Sequence, residues 1–186
     1  HDCWYCAYHA SGLQLGDQMT YRDVIPFDKL NEITDDIIEM GVSAVTFSGG
    51  GEPLLYKRLP EIVEKLHKGG VRVATLTNGS NLKGLMSEAF QKYGTWVRVS
   101  LDGYDDKSYS KARGIKTGEF TKLINNMHDF KMSGTNCVLG CSFIVGKNNY
   151  KHIYNVCKKL KEIGVDHVKI SGAVVGNSPK ENNLYH

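Results

Sequence analysis

Two cysteines and a run of glycines are the residues best suited to chemistry in this sequence. Cys3-Trp-Tyr-Cys6 lies at its start, and Phe47-Ser-Gly-Gly-Gly-Glu-Pro-Leu-Leu55 follows about forty residues later. Two-residue spacing lets one tight loop present two thiolates together, a pattern open to zinc, a redox disulfide or an iron–sulfur cluster. A zinc site wants a second Cys/His pair. Cys137, Cys141 and Cys157 do not offer the usual spacing, and His9 is only a loose candidate. The glycines admit positive φ and let a ligand approach the main chain closely. Glu52 offers a carboxylate to a cationic amine, and Pro53 stiffens the exit. Gly-Pro turns are common at strand ends, but three glycines followed by an acid and a proline are an odd way to build one.

Further polar groups end later strands. Thr77-Asn78-Gly79-Ser80 closes one, and Ser100-Leu-Asp102-Gly103 closes the next. By two-residue alternation Ser100 and Asp102 point to the same side. Arg113-Gly114 follows, and an arginine fork suits a carboxylate. Lys169 and Ser171 alternate at the last strand and are candidates for substrate contact.

These groups need elements to position them. Ala44–Phe47, Val71–Thr77, Trp96–Leu101, Cys137–Val145 and His167–Val175 are rich in β-branched residues and read as buried strands. Between them lie apolar stripes of helical spacing: Leu30, Ile33, Ile37; Leu59, Ile62, Val63, Leu66; Leu123, Ile124, Met127, Phe130; and Ile153, Val156, Leu160, Ile163. Gly41, Gly69-Gly70, Gly94, Gly134 and Gly164 fall where left-handed helix caps would stand. Alternating strands and helices with nearly continuous apolar strands predict parallel pairing with helical crossovers. A doubly wound sheet and a (β/α) barrel both fit this order, and both collect active-site residues at strand C-termini.

The cysteine pair joined to Gly50-Gly51-Glu52-Pro53 resembles the radical S-adenosylmethionine (radical SAM) enzymes, in the branch of molybdenum-cofactor-synthesis enzymes and peptide maturases. The resemblance runs from Cys3 to about Gly176. It implies an α/β fold, a partial (β/α)6 TIM-like barrel of parallel strands, with its first strand and last helix absent here. It implies that Cys3 and Cys6 hold a [4Fe–4S] cluster and that Gly50, Gly51 and Glu52 hold the SAM amino group. Tyr5 and Val145 would contact the adenine, and Asn78, Ser100, Asp102 and Arg113 the rest of SAM. The family's first cysteine would stand four residues before Cys3, and the sequence starts at His1, so a truncated core domain over 1–186 is expected. The implied reaction is reductive cleavage of SAM to a 5′-deoxyadenosyl radical that takes hydrogen from an unknown substrate, a small molecule or a peptide. An electron donor such as flavodoxin or ferredoxin is implied as a partner. The rival readings are another (β/α) barrel enzyme and a zinc module built on Cys3 and Cys6.

A chain of 186 residues suits one domain. With a net charge of +3 and scattered Lys and Arg, no nucleic-acid partner is expected. The longest nearly apolar run, Cys137 to Gly146, falls well short of the roughly 20 residues of a membrane helix. Five cysteines outside a disulfide framework indicate reduced thiols and a cytoplasmic location, with Cys137, Cys141 and Cys157 packed as small hydrophobes.

Overall fold

The apolar runs of the sequence form one parallel sheet in a computed structural model that describes residues 1–3, 5, 6, 8, 20 and 23–173. Its strands are β1 (Ala44–Phe47), β2 (Arg72–Thr77), β3 (Gly94–Ser100), β4 (Val138–Val145) and β5 (His167–Gly172). The helices are α1 (Phe27–Glu39), α2 (Leu59–Lys68), α3 (Gly84–Tyr93), α4 (Asp106–Arg113), α5 (Glu119–Met132) and α6 (Ile153–Glu162). The spatial order is β1-β2-β3-β4-β5, every neighbour parallel. Right-handed crossovers that always step in one direction put every helix on the same face. A doubly wound sheet would reverse its order, so the winding is that of a partial barrel.

Alternation divides the strand residues accordingly. Val73, Val97, Val99, Leu139, Cys141 and Phe143 face the helices, in one core with Ile62, Leu66, Phe90, Leu123, Met127 and Leu160. The other face, the inner one, carries Leu76, Arg98 and Gly140 in one register row with His167. Ser100, Ser142 and Lys169 form the next row toward the strand C-termini.

The expected stripes became α1, α2, α5 and α6. Two helices had no stripe to announce them. α3 buries Met86, Ser87, Ala89 and Phe90, a mixed set, and α4 (DKSYSKAR) buries only Tyr109 and Arg113. What specifies α4 is its ends: a capping box between Asp105 and Ser108, and Gly114 in the left-handed region as its C-cap. Gly94 corrects a sequence expectation. It is no left-handed cap but extended backbone (φ −75°, ψ 147°) that opens β3, and a Cβ there would lie 2.6 Å from the Phe90 carbonyl oxygen. β5 is shorter than expected; Val174, Val175 and the turn-like stretch from Asn177 lie outside the described residues, as does His9. Among the described residues no helix is long and apolar enough to cross a membrane.

Candidate functional site

The C-terminal ends of β1, β2 and β3 surround a cavity of about 600 Å³ whose wall also includes the N-terminal cysteine loop. Cys3 and Cys6 both line it, with Gly50, Gly51, Glu52, Asn78, Ser100 and Arg113. The cysteine loop is closed by the Cys6 N–H donating to the Cys3 carbonyl at 2.9 Å. Cys3 is buried and Cys6 half-buried. A larger cavity of about 760 Å³ shares Gly50, Gly51 and Glu52 but is walled by Val24, Ile25, Phe27 and Tyr56 and has no thiol. Both thiols therefore belong to the smaller one.

Glu52 is held by the chain itself. Its Oε1 accepts from the Leu54 N–H (3.1 Å) and from Thr77 Oγ1 (2.5 Å), and its Oε2 from the Asn78 N–H (2.7 Å). A carboxylate offers about four acceptor positions, so roughly one remains for a ligand. The same bonds tie the glycine loop after β1 to the end of β2, fixing the carboxylate at the cavity wall. Thr77 stood in the polar run expected at this strand end, but only a structure shows its hydroxyl reaching Glu52.

Asp102 behaves differently from expectation. β3 ends at Ser100, and Asp102 turns away with φ +53°, in the left-handed region where Asp is one of the few tolerated side chains. The alternation that would have aligned it with Ser100 therefore does not apply, and Asp102 is not on the cavity wall. Its Oδ2 accepts from Arg113 Nη2 at 2.6 Å and from the Tyr5 hydroxyl, and its Oδ1 from the Ile144 N–H at 2.7 Å. The carboxylate that Arg113 grips is thus one of the protein's own. Arg113 also donates to the Ser100 carbonyl and, through Nη1 at 3.3 Å, to Cys3 Sγ. Burial would lower the guanidinium pKa, but Asp102, Tyr5, Cys3 and Tyr109 outweigh it and raise it above the ordinary arginine value. Burial, with help from Asp102, likewise pushes the Tyr5 phenol up, so Tyr5 stays a hydrogen-bond donor. Buried charges must be paired, and this pairing also braces the cysteine loop.

Val145 shares the helix-covered face with Cys141 and Phe143 and packs against the core, so it does not reach the cavity expected of it. Lys169 and Ser171 stand on the inner face, registered with Ser142 and Ile144. Ser80, from the polar run that closes β2, joins the cavity wall, as does Tyr8, which was not singled out from sequence, and His1 Nε2 lies 3.2 Å from Ser80 Oγ. Cys137 and Cys141 are core residues and Cys157 is half-buried. Among the described residues no three His, Cys, Asp or Glu side chains gather as a metal site.

Comparison with known proteins fits this geometry. A family model described as the radical SAM superfamily matches residues 1–151. An S-adenosylmethionine-dependent nucleotide dehydratase of Lacinutrix mariniflava is 28% identical over 156 residues, covering 80% of this chain and 31% of that protein. The Fe-coproporphyrin III synthase of Methanosarcina barkeri is 27% identical over 161 residues, covering 86% of this chain and 38% of that one. The chain thus spans about a third of the length of these relatives. Streptococcus suis SuiB, solved bound to S-adenosylmethionine, superposes with a TM-score of 0.75 at 18% identity, over 95% of this chain and 39% of SuiB. At that identity the likeness is one of fold.

Proposed function

The chain belongs to the radical SAM superfamily, and from that membership we propose that residues 1–186 form the core domain of a radical SAM enzyme. The observation that carries the reading is that Cys3, Cys6 and Glu52, distant in sequence, line one cavity at the strand C-termini. The donor set fits the cofactors. Cys3 and Cys6 are soft thiol ligands on one loop, suited to two irons of a [4Fe–4S] cluster. Glu52 keeps about one acceptor position for the SAM ammonium, and Gly50 and Gly51 line the wall without side chains in the way. Asn78 and Ser100 offer polar contacts to the rest of SAM. Arg113, on the wall, reaches Cys3, and Tyr5 and Asp102 behind it hold that arginine in place.

When bound, the cluster supplies the electron that cleaves the C5′–S bond of SAM and so begins hydrogen abstraction from substrate. The protein's part is to orient both cofactors and exclude water. The substrate is a small molecule or a peptide, the reductant a carrier such as flavodoxin or ferredoxin, and the compartment the cytoplasm.

The test is made on the full-length protein, reconstituted anaerobically with iron and sulfide. A broad visible absorbance shoulder and SAM binding by calorimetry are expected; a colourless, zinc-loaded protein without SAM affinity would refute the reading. Glu52→Gln sharpens it. Losing a charge-assisted hydrogen bond worth roughly 1.5–3 kcal/mol should weaken SAM by about one to two powers of ten. Glutamine also sets an amide donor against the donors now bonded to Glu52, so the melting temperature should fall too. A lowered melting point with unchanged SAM affinity would leave Glu52 a tie between β1 and β2 and nothing more.

A further inference from the structure

We propose that the inner face of the sheet is a subsite for the phosphate chain of a phosphorylated substrate, with Arg98 and Lys169 as its cationic contacts. That a substrate enters the barrel rests on the radical SAM reading; the anion site itself rests on the following geometry.

Arg98 is half-buried in the middle of β3, and its Nε is buried without a hydrogen-bond partner. Among the described residues its guanidinium meets no carboxylate; its neighbour is the Trp96 ring, with 5.2 Å between Cζ and the ring centroid. A half-buried guanidinium with no carboxylate beside it is free to pair with an anion that binds. The Nε of Arg113 is unpartnered too, but there the chain supplies the Asp102 carboxylate, whereas to Arg98 it supplies a ring and, among the described residues, no carboxylate. Arg98 therefore keeps its charge available to a ligand.

Its surroundings select an anion. The five strands contain Arg72, Arg98, His167 and Lys169 but no Asp or Glu. Gly140 stands between Arg98 and His167 in the register. A Cβ there would lie 2.3 Å from the His167 ring, so glycine is what allows that imidazole to lie over the sheet beside Arg98. Lys169 is exposed, on the same face one row higher, and takes part in no ion pair among the described residues.

Spacing argues for phosphates. Arg98 and Lys169 stand two strands and two residues apart, about 12 Å between Cα atoms at ordinary strand spacing and rise. Two cations so placed suit the length of a di- or triphosphate better than one carboxylate. Ser100, on the cavity wall, is two residues beyond Arg98, about 7 Å along the strand. One substrate can therefore hold its phosphates on the inner face and still present its other end at the cavity.

The experiment titrates the full-length protein with inorganic tripolyphosphate by calorimetry, beside SAM affinity and melting temperature. Arg98→Gln and Lys169→Gln should each weaken tripolyphosphate by about tenfold or more and leave SAM affinity unchanged. Lys122→Gln, on the exposed side of α5, should leave both unchanged. Arg98→Gln should melt no lower than the parent, since it removes an unpaired charge; a lower melting point would make Arg98 a structural residue. Lys169 is exposed, so its variant tests the site even if the Arg98 variant folds poorly. No tripolyphosphate binding, or equal losses in all three variants, would overturn the proposal. If SAM still binds in that case, only the anion site falls. If SAM and iron fail while tripolyphosphate responds to Arg98, the anion site stands and the radical SAM reading falls.

Discussion

Asp102 and Arg113 show how single residues divide between catalysis and support. Their side chains are 4% and 6% exposed, 2.6 Å apart, and the arginine reaches on to Cys3. Removing one partner of such a pair strands the other charge in a site without water. Asp102→Asn should therefore destabilise the fold by about 3–5 kcal/mol, read by denaturant unfolding. A residue whose work was to bind the SAM ribose would behave differently, changing SAM affinity while unfolding stayed put. That outcome would return Asp102 to the cavity wall. Glu52 lies between these extremes, since the same carboxylate ties two loops together and keeps an acceptor position open.

At the scale of elements, the turn after β2 is held from a distance. The Gly79 carbonyl accepts from Asn126 Nδ2 at 3.1 Å and the Ser80 carbonyl from the same nitrogen at 3.2 Å, so α5 clamps the turn that carries Asn78. Gly79 itself has φ +75° and no room for a Cβ, which would lie 2.3 Å from Leu123. Asn126→Ala leaves two carbonyls without that donor and should cost about 1–3 kcal/mol. It should also weaken SAM binding, because the Asn78 N–H that steadies Glu52 belongs to the same turn. A melting point and SAM affinity both unchanged would show that the clamp is idle. Nothing in the spacing of α5's apolar stripe singles out Asn126; its role exists only once the helix lies across the strand ends.

For the whole molecule, burial of neutral acids sets the alkaline limit. Burial raises the Cys137 thiol from 9.0 to about 12 and pushes Cys141 up as well. It also raises the Tyr109 phenol from 10.0 to about 12. The folded state keeps these protons where the unfolded chain would release them. Stability from this source is therefore complete below about pH 9 and is lost as pH rises from 9 toward 12. Thermal melts across that range should show a falling midpoint, and Cys137→Ala should flatten the fall. A midpoint constant to pH 11 would contradict the burial of these groups.

What could be read from the chain alone was local. Leu59, Ile62, Val63 and Leu66 declare a helix because every third or fourth residue is apolar, and Ala44–Phe47 declares a strand by composition. The thiol pair and the glycine–glutamate run stand out as candidate ligands by residue type. Helices α3 and α4 escaped because they bury mixed sets, Met86, Ser87, Ala89 and Phe90 in one and Tyr109 and Arg113 in the other, which make no apolar stripe. Tertiary structure decided the rest. Two windings of the sheet share one order of elements along the chain, and only the spatial order β1 to β5 distinguishes a barrel from a doubly wound sheet. The guanidinium of Arg113 meets a thiol 110 residues away and a carboxylate 11 residues away. No local periodicity encodes such a meeting; it follows from the need of a buried charge for a partner, which arises only after the fold has taken the water away.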